Sequence, residues 1–131
     1  LPLILKGITH PAYAKKAIEF GVDGIVVSNH GGRVLDTLVT TMDILPKIVE
    51  VVDNKIPILL DGGITRGTDI LKALAFGASA VMIGKPIMYG FATAGDLGVA
   101  HSLKILKDEL EISMALTGCK TLKDINKDIL F

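Results

Sequence analysis

The chain has 131 residues, half of them hydrophobic, and 14 basic side chains balance 14 acidic ones, so its formal net charge is zero. That is enough apolar material for a domain core, and the neutral balance argues against nucleic acid or an anionic membrane surface as the main partner. Its apolar runs are short and broken, far below the roughly 20 residues that span a bilayer; the single cysteine, Cys119, forms no internal disulfide, and no Cys/His spacing suggests a metal.

Leu3-Ile4-Leu5 reads as a strand ending at Lys6. Pro11 to Phe20 reads as a helix, with Pro11 suited to its first turn and Gly21 just past its end. Gly24-Ile-Val-Val27 is a second, wholly apolar strand, and Ser28-Asn-His-Gly-Gly-Arg33 follows it. Ile44, Leu45, Ile48, Val49 and Val52 recur at helical spacing and predict a helix from about Met42 to Val52. Ile56 to Leu60 is a third strand ending at Asp61, and Thr68 to Phe76 a third helix closed by Gly77. Ala80 to Ile83 is a fourth strand ending at Gly84-Lys85-Pro86. A longer helix from about Val99 to Leu116 is closed by Gly118, and Thr121 to Phe131 forms a tail, as one short helix or docked on the body. The chain opens directly on a strand, without Met, and reads as a piece of a longer protein with no targeting signal in the part given. With a lone cysteine, a reducing intracellular compartment is expected.

Continuous apolar strands alternating with helices mean a parallel sheet covered by helices. The chain also repeats itself: Pro2-Leu-Ile-Leu-Lys6-Gly-Ile-Thr9 resembles Pro57-Ile-Leu-Leu-Asp61-Gly-Gly-Ile-Thr65, and Phe20-Gly21 resembles Phe76-Gly77, at offsets of 55 and 56 residues. A duplicated strand–helix–strand unit fits a TIM (β/α)₈ barrel better than a doubly wound sheet. Four such units make half a barrel, since a whole one takes about 250 residues. The expected fold is therefore α/β, a half-barrel of four βα units plus a tail.

Lys6, the Ser28–Arg33 turn, Asp61-Gly62-Gly63 and Gly84-Lys85 then all fall at the carboxyl ends of strands, the barrel face where active sites form. Histidine takes and returns a proton near neutral pH, and arginine holds a carboxylate through a planar fork. His30 and Arg33, three residues apart across two glycines, suggest chemistry on a small acid beside its carboxylate, although the hexapeptide alone also fits a solvated polar turn. His10 and His101 fall before and within helices and read as surface residues.

Ser28-Asn-His-Gly-Gly-Arg33, Asp61-Gly-Gly-Ile-Thr-Arg-Gly-Thr-Asp69 and Ile83-Gly-Lys-Pro86 together resemble the FMN-dependent α-hydroxy acid oxidases and dehydrogenases, of the glycolate oxidase, lactate oxidase and flavocytochrome b2 type. The resemblance runs from the first strand to Met114-Ala-Leu-Thr-Gly-Cys119 and corresponds to the second, C-terminal half of that family's barrel, so that residues 1–131 form one part of an FMN hydroxy acid dehydrogenase domain. It implies oxidation of a small (S)-2-hydroxy acid to the 2-keto acid, with His30 as base and Arg33 as carboxylate clamp. It also implies FMN contacts from Lys6, Ser28, Asp61, Gly62, Gly63, Ile64, Thr65, Gly84 and Lys85, no metal, a homotetramer, and a cytoplasmic or peroxisomal location. The family usually has arginine where Thr65 and Lys85 stand and glutamine where Val34 stands; Arg66 can partly compensate if it points to the phosphate. The family's substrate-binding tyrosine and the aspartate that orients the histidine belong to the half absent from this sequence. Two other readings stay open: a half-barrel that binds flavin or phosphate without turnover, and a relative of inosine monophosphate dehydrogenase, for which Cys119 stands in the wrong place.

Overall fold

In the computed structural model, which describes residues 1–130, four strands alternate with four helices. β1 (Ile4–Ile8), β2 (Gly24–Val27), β3 (Ile58–Leu60) and β4 (Ala80–Val81) lie side by side in chain order, each neighbouring pair parallel. α1 (Pro11–Glu19), α2 (Thr41–Val52), α3 (Gly67–Ala75) and α4 (Lys85–Leu116) each follow one strand. This is the expected half-barrel. β2 lies inside the sheet, and Gly24 and its three β-branched residues are all buried. Ile25, Val27 and Leu60 from the sheet meet Leu45, Ile48 and Val52 from α2 in the core, all fully buried. Full burial of one such side chain contributes about 1.5–3 kcal/mol.

Polar caps place the helix starts. The His10 imidazole Nδ1 accepts the Ala12 N–H at 3.1 Å, and Thr40 Oγ1 accepts that of Asp43 at 3.2 Å. The Asp69 carboxylate takes the N–H groups of Thr65 and Arg66, each at 2.9 Å, and so fixes the entry to α3. His10 and His101 are both exposed, as expected.

Three elements differ from the sequence reading. β1 does not stop at Lys6 but continues to Ile8, because a bulge between Lys6 and Ile8, with Gly7 at φ +98, carries the pairing past the lysine. The helix expected from Val99 begins instead at Lys85 and runs to Leu116, broken at Ala94 and Gly95, where φ and ψ leave the helical range. Glycines and Pro86 mask the helical pattern there, and their place is set by packing: a Cβ on Gly90 would lie 2.5 Å from the Gly98 carbonyl oxygen, so the two arms of α4 cross backbone to backbone. The tail forms two 3₁₀ turns, Leu122–Asp124 and Lys127–Ile129, and docks by burying Ile125 with Leu71, Ala75 and Cys119; Phe131 lies outside the described residues.

α3 and α4 meet as closely. A Cβ on Gly67 would run into the backbone of Glu109 and Leu110, and the Gly67 N–H donates to Glu109 Oε2 at 2.8 Å. Gly67→Ala should therefore destabilise the full-length protein by about 1–3 kcal/mol, the usual cost of overpacking, read as a lowered denaturant midpoint. An unchanged midpoint would mean that the two helices can move apart freely.

Candidate active site at the carboxyl ends of the strands

The four strand ends surround one cleft of about 980 Å³. Of the residues singled out from sequence, Lys6, His30, Arg33, Asp61, Gly62, Gly63, Ile64, Thr65, Gly84 and Lys85 line it, and Ser28 does not. Ser28 is fully buried behind Lys6.

The turn after β2 is tight and left-handed: His30, Gly31 and Gly32 all have positive φ, at 56, 66 and 72°. A non-glycine residue seldom adopts that backbone, and local hydrogen bonds hold it there. Ser28 Oγ accepts the His30 N–H at 3.2 Å, and Asn29 Oδ1 accepts the Gly31 N–H at 3.0 Å. The His30 ring lies against the β1 bulge, where a Cβ on Gly7 would stand 3.1 Å from its Cε1. Gly7 thus serves both the bulge and the seat of the ring. Gly7→Ala should lower stability by about 1–2 kcal/mol for its left-handed backbone and turn the imidazole from its seat. Thermal melting and the His30 ring proton resonances would show this; unmoved resonances would show that the seat is loose. Arg33 ends the turn with its guanidinium exposed and, among the described residues, hydrogen-bonded to nothing.

Lys6, within β1, and Asp61, just past the end of β3, meet across β2. Lys6 Nζ donates to Asp61 Oδ2 at 2.5 Å and to Ser28 Oγ at 2.7 Å. A chain of bonds therefore runs from Asp61 through Lys6 and Ser28 to the backbone of His30. The other Asp61 oxygen, Oδ1, is buried and has no partner among the described residues. Buried acceptors are nearly always satisfied, and this one belongs to a residue that lines the cleft.

Gly62 and Gly63 follow with φ of 85 and 83°. Gly62 is required: a Cβ there would sit 2.6 Å from Asn29 Oδ1. Its carbonyl accepts the buried Thr41 hydroxyl at 2.9 Å, which ties the loop to the start of α2. Space is open beside Gly63 and Gly84. α4 starts at Lys85; Pro86 carries no N–H, and the Ile87 and Met88 N–H groups both donate to the Gly84 carbonyl at 3.1 Å, so among the described residues the Lys85 N–H is the first-turn donor left for an anion. Ile64 turns its side chain into the core, which leaves its backbone for the cleft. Thr65 Oγ1 is engaged with Asp69 Oδ2 at 3.2 Å. Arg66 does not compensate for the missing arginine: its Nη1 donates to Glu109 Oε1 at 3.0 Å, because the approach of α4 at Gly67 brings that carboxylate to it. Lys85 Nζ donates to the Gly31 carbonyl at 3.1 Å, and Lys72 on α3 adds a further ammonium to the lining.

Sequence reasoning gave no role to Asn29, Thr41 or Lys72. Asn29 could have been noticed inside its own motif; for Thr41 and Lys72 nothing in the sequence points to the cleft. No group of three or more His, Cys, Asp or Glu suited to a metal occurs among the described residues, and no described helix is long and apolar enough to cross a membrane.

All 131 residues match the family described as FMN-dependent dehydrogenase. The chain belongs to that family. FMN is the family's cofactor. Among family relatives, a 2-hydroxyacid oxidase of Dictyostelium discoideum is 53% identical over 131 residues, covering 100% of this chain and 34% of its own length. The peroxisomal (S)-2-hydroxyacid oxidase GLO3 of Arabidopsis thaliana is 55% identical over 128 residues, 98% of this chain and 35% of its own. A crystal structure of a lactate oxidase of Pediococcus acidilactici superposes with a TM-score of 0.94 at 46% identity, over 97% of this chain and 35% of that one. The chain thus spans about a third of the length of the curated relatives it matches.

Proposed function

We propose that the protein to which this chain contributes oxidises a small (S)-2-hydroxy acid, glycolate- or lactate-like, to the 2-keto acid with FMN, and that residues 1–131 supply the C-terminal part of its FMN domain. The observation that carries this reading is the convergence, in one cleft, of an imidazole, an unpaired guanidinium and a glycine-lined cradle at a helix start. The relatives named as 2-hydroxyacid and lactate oxidases support it.

The residues fit the cofactor. Asp61 is a lining residue of the cleft with one carboxylate oxygen left without a partner, a donor-seeking group suited to a ribityl hydroxyl once the side chain turns toward it. Gly62, Gly63, Gly84 and Lys85 offer backbone N–H groups and an ammonium to a phosphate. When bound, FMN supplies the ring that accepts the hydride. His30 takes the proton from the substrate hydroxyl on an imidazole nitrogen, and Arg33 holds the substrate carboxylate through two parallel hydrogen bonds. Lys6, held by Asp61 and Ser28, brings positive charge to where negative charge develops. Ser28 acts by holding Lys6 and the His30 turn in register. A homotetramer and a cytoplasmic or peroxisomal location belong to the same proposal.

The test is to reconstitute the full-length protein with FMN and add glycolate or L-lactate without oxygen. Loss of the flavin's visible absorbance is expected with at least one of them. Tight FMN binding with no bleaching by either acid would favour the alternative, a flavin-binding module without turnover.

A further inference from the structure

We propose that Lys85 is a positioning residue for the His30–Arg33 turn, so that the geometry of base and clamp depends on the phosphate side of the cleft. The inference rests on the functional reading above. Three consecutive residues of the turn, His30, Gly31 and Gly32, have left-handed backbone; the two glycines allow this conformation but do not fix it, since they adopt many others as readily. Its internal bonds come from neighbours in sequence, Ser28 Oγ to the His30 N–H and Asn29 Oδ1 to the Gly31 N–H. The Gly31 carbonyl is different. It accepts from Lys85 Nζ, 54 residues away at the start of α4, at 3.1 Å. Among the described residues this is the one side-chain hydrogen bond to the backbone of residues 30–33 that comes from another βα unit.

Lysine suits the task. An ammonium carries three rotatable donors; one on Gly31 leaves two for an anion beside Gly63 and Gly84, where space is open. An arginine has five donors, but they are fixed in one plane, so it serves a second acceptor only where that acceptor lies in the same plane. The lysine that departs from the family's usual arginine therefore trades grip on the phosphate for a tether to the catalytic turn. An anion in the cradle orders Lys85, and Lys85 orders the turn.

The test uses the full-length protein and two variants, Lys85→Met, which removes every donor but keeps the stem, and Lys85→Arg. Lys85 is exposed, so neither should disturb folding. In the FMN-free protein, amide hydrogen exchange over residues 28–34 should rise about tenfold in Lys85→Met, as loss of a hydrogen bond to a charged group allows. Inorganic phosphate should slow exchange of that segment in the native protein and leave Lys85→Met unaffected, with Lys85→Arg between the two. At saturating FMN, Lys85→Met should also lose kcat, which a residue serving only the phosphate would not. Exchange over residues 28–34 that is the same in native protein and Lys85→Met overturns the tether, whatever the activity. A native protein that fails to oxidise any hydroxy acid, yet shows the exchange difference, overturns the functional reading and leaves the tether standing.

Discussion

His30→Gln in the full-length enzyme lowers turnover by about 10²–10⁴-fold, the range that general-base catalysis supplies, while FMN affinity stays close to native. Glutamine fills much of the seat against Gly7 and can still hydrogen-bond, but it has no site that takes up a proton at neutral pH. The cradle proposed for the phosphate lies on other strands, at Gly62, Gly63 and Gly84, so cofactor binding should not follow His30. Because His30 sits at φ 56, His30→Asn is the companion variant: asparagine tolerates left-handed backbone better than glutamine. The measurement is the rate of flavin reduction by substrate without oxygen, beside a flavin titration and a thermal melt of each variant. Turnover within a few-fold of native in both would make His30 structural.

Arg33→Lys raises the apparent dissociation constant of the hydroxy acid by about 10–150-fold. The variant keeps the charge but loses one of two parallel hydrogen bonds to the carboxylate; such a bond to a charged group contributes about 1.5–3 kcal/mol, and each 1.4 kcal/mol is a factor of ten. The Arg33 side chain has no hydrogen-bond partner among the described residues, and its backbone bond to the His30 carbonyl survives the substitution, so the change removes no internal support from the turn and the loss is read on substrate alone. FMN should stay bound. Substrate and FMN are titrated separately against the variant; loss of flavin rather than of substrate would reassign Arg33 to the cofactor.

The two variants separate the roles within one turn of six residues, and the Lys85 variants separate that turn from the cradle across the cleft. Should His30→Gln lose flavin as well as turnover, the tether through Gly31 would be the first contact to suspect, since it is the bond that joins the two sides.

Much was decided by the sequence alone. Gly24-Ile-Val-Val27 reads as a buried strand, because three of its residues are β-branched, it is short for a helix and a turn signal follows it; its four residues are all buried. The repeat of Pro2–Thr9 in Pro57–Thr65 put Lys6 and Asp61 at equivalent strand ends, and the period of the strands put four polar loops on one face. What side chains do once there was not legible, because it depends on contacts between units far apart in sequence. The sequence reading ended β1 at Lys6, whereas a bulge at Gly7 both lengthens the strand and seats His30. Where Arg66 points, on which any compensation for the missing arginine depended, was not legible either: α4 crosses α3 at Gly67 and brings Glu109 to it. The first arm of α4 was hidden by glycines whose reason is the close crossing at Gly90 and Gly98. Lys85 lines the cleft as read from sequence and Ser28 lies buried behind it, and both acquired partners, Gly31 and Lys6, that no spacing announces. Periodicity and turn chemistry act within a dozen residues and so specify which elements form and which residues end them. The orientation of a charged side chain is chosen by the acceptor that packing brings within 3 Å or so, and only the tertiary structure decides that.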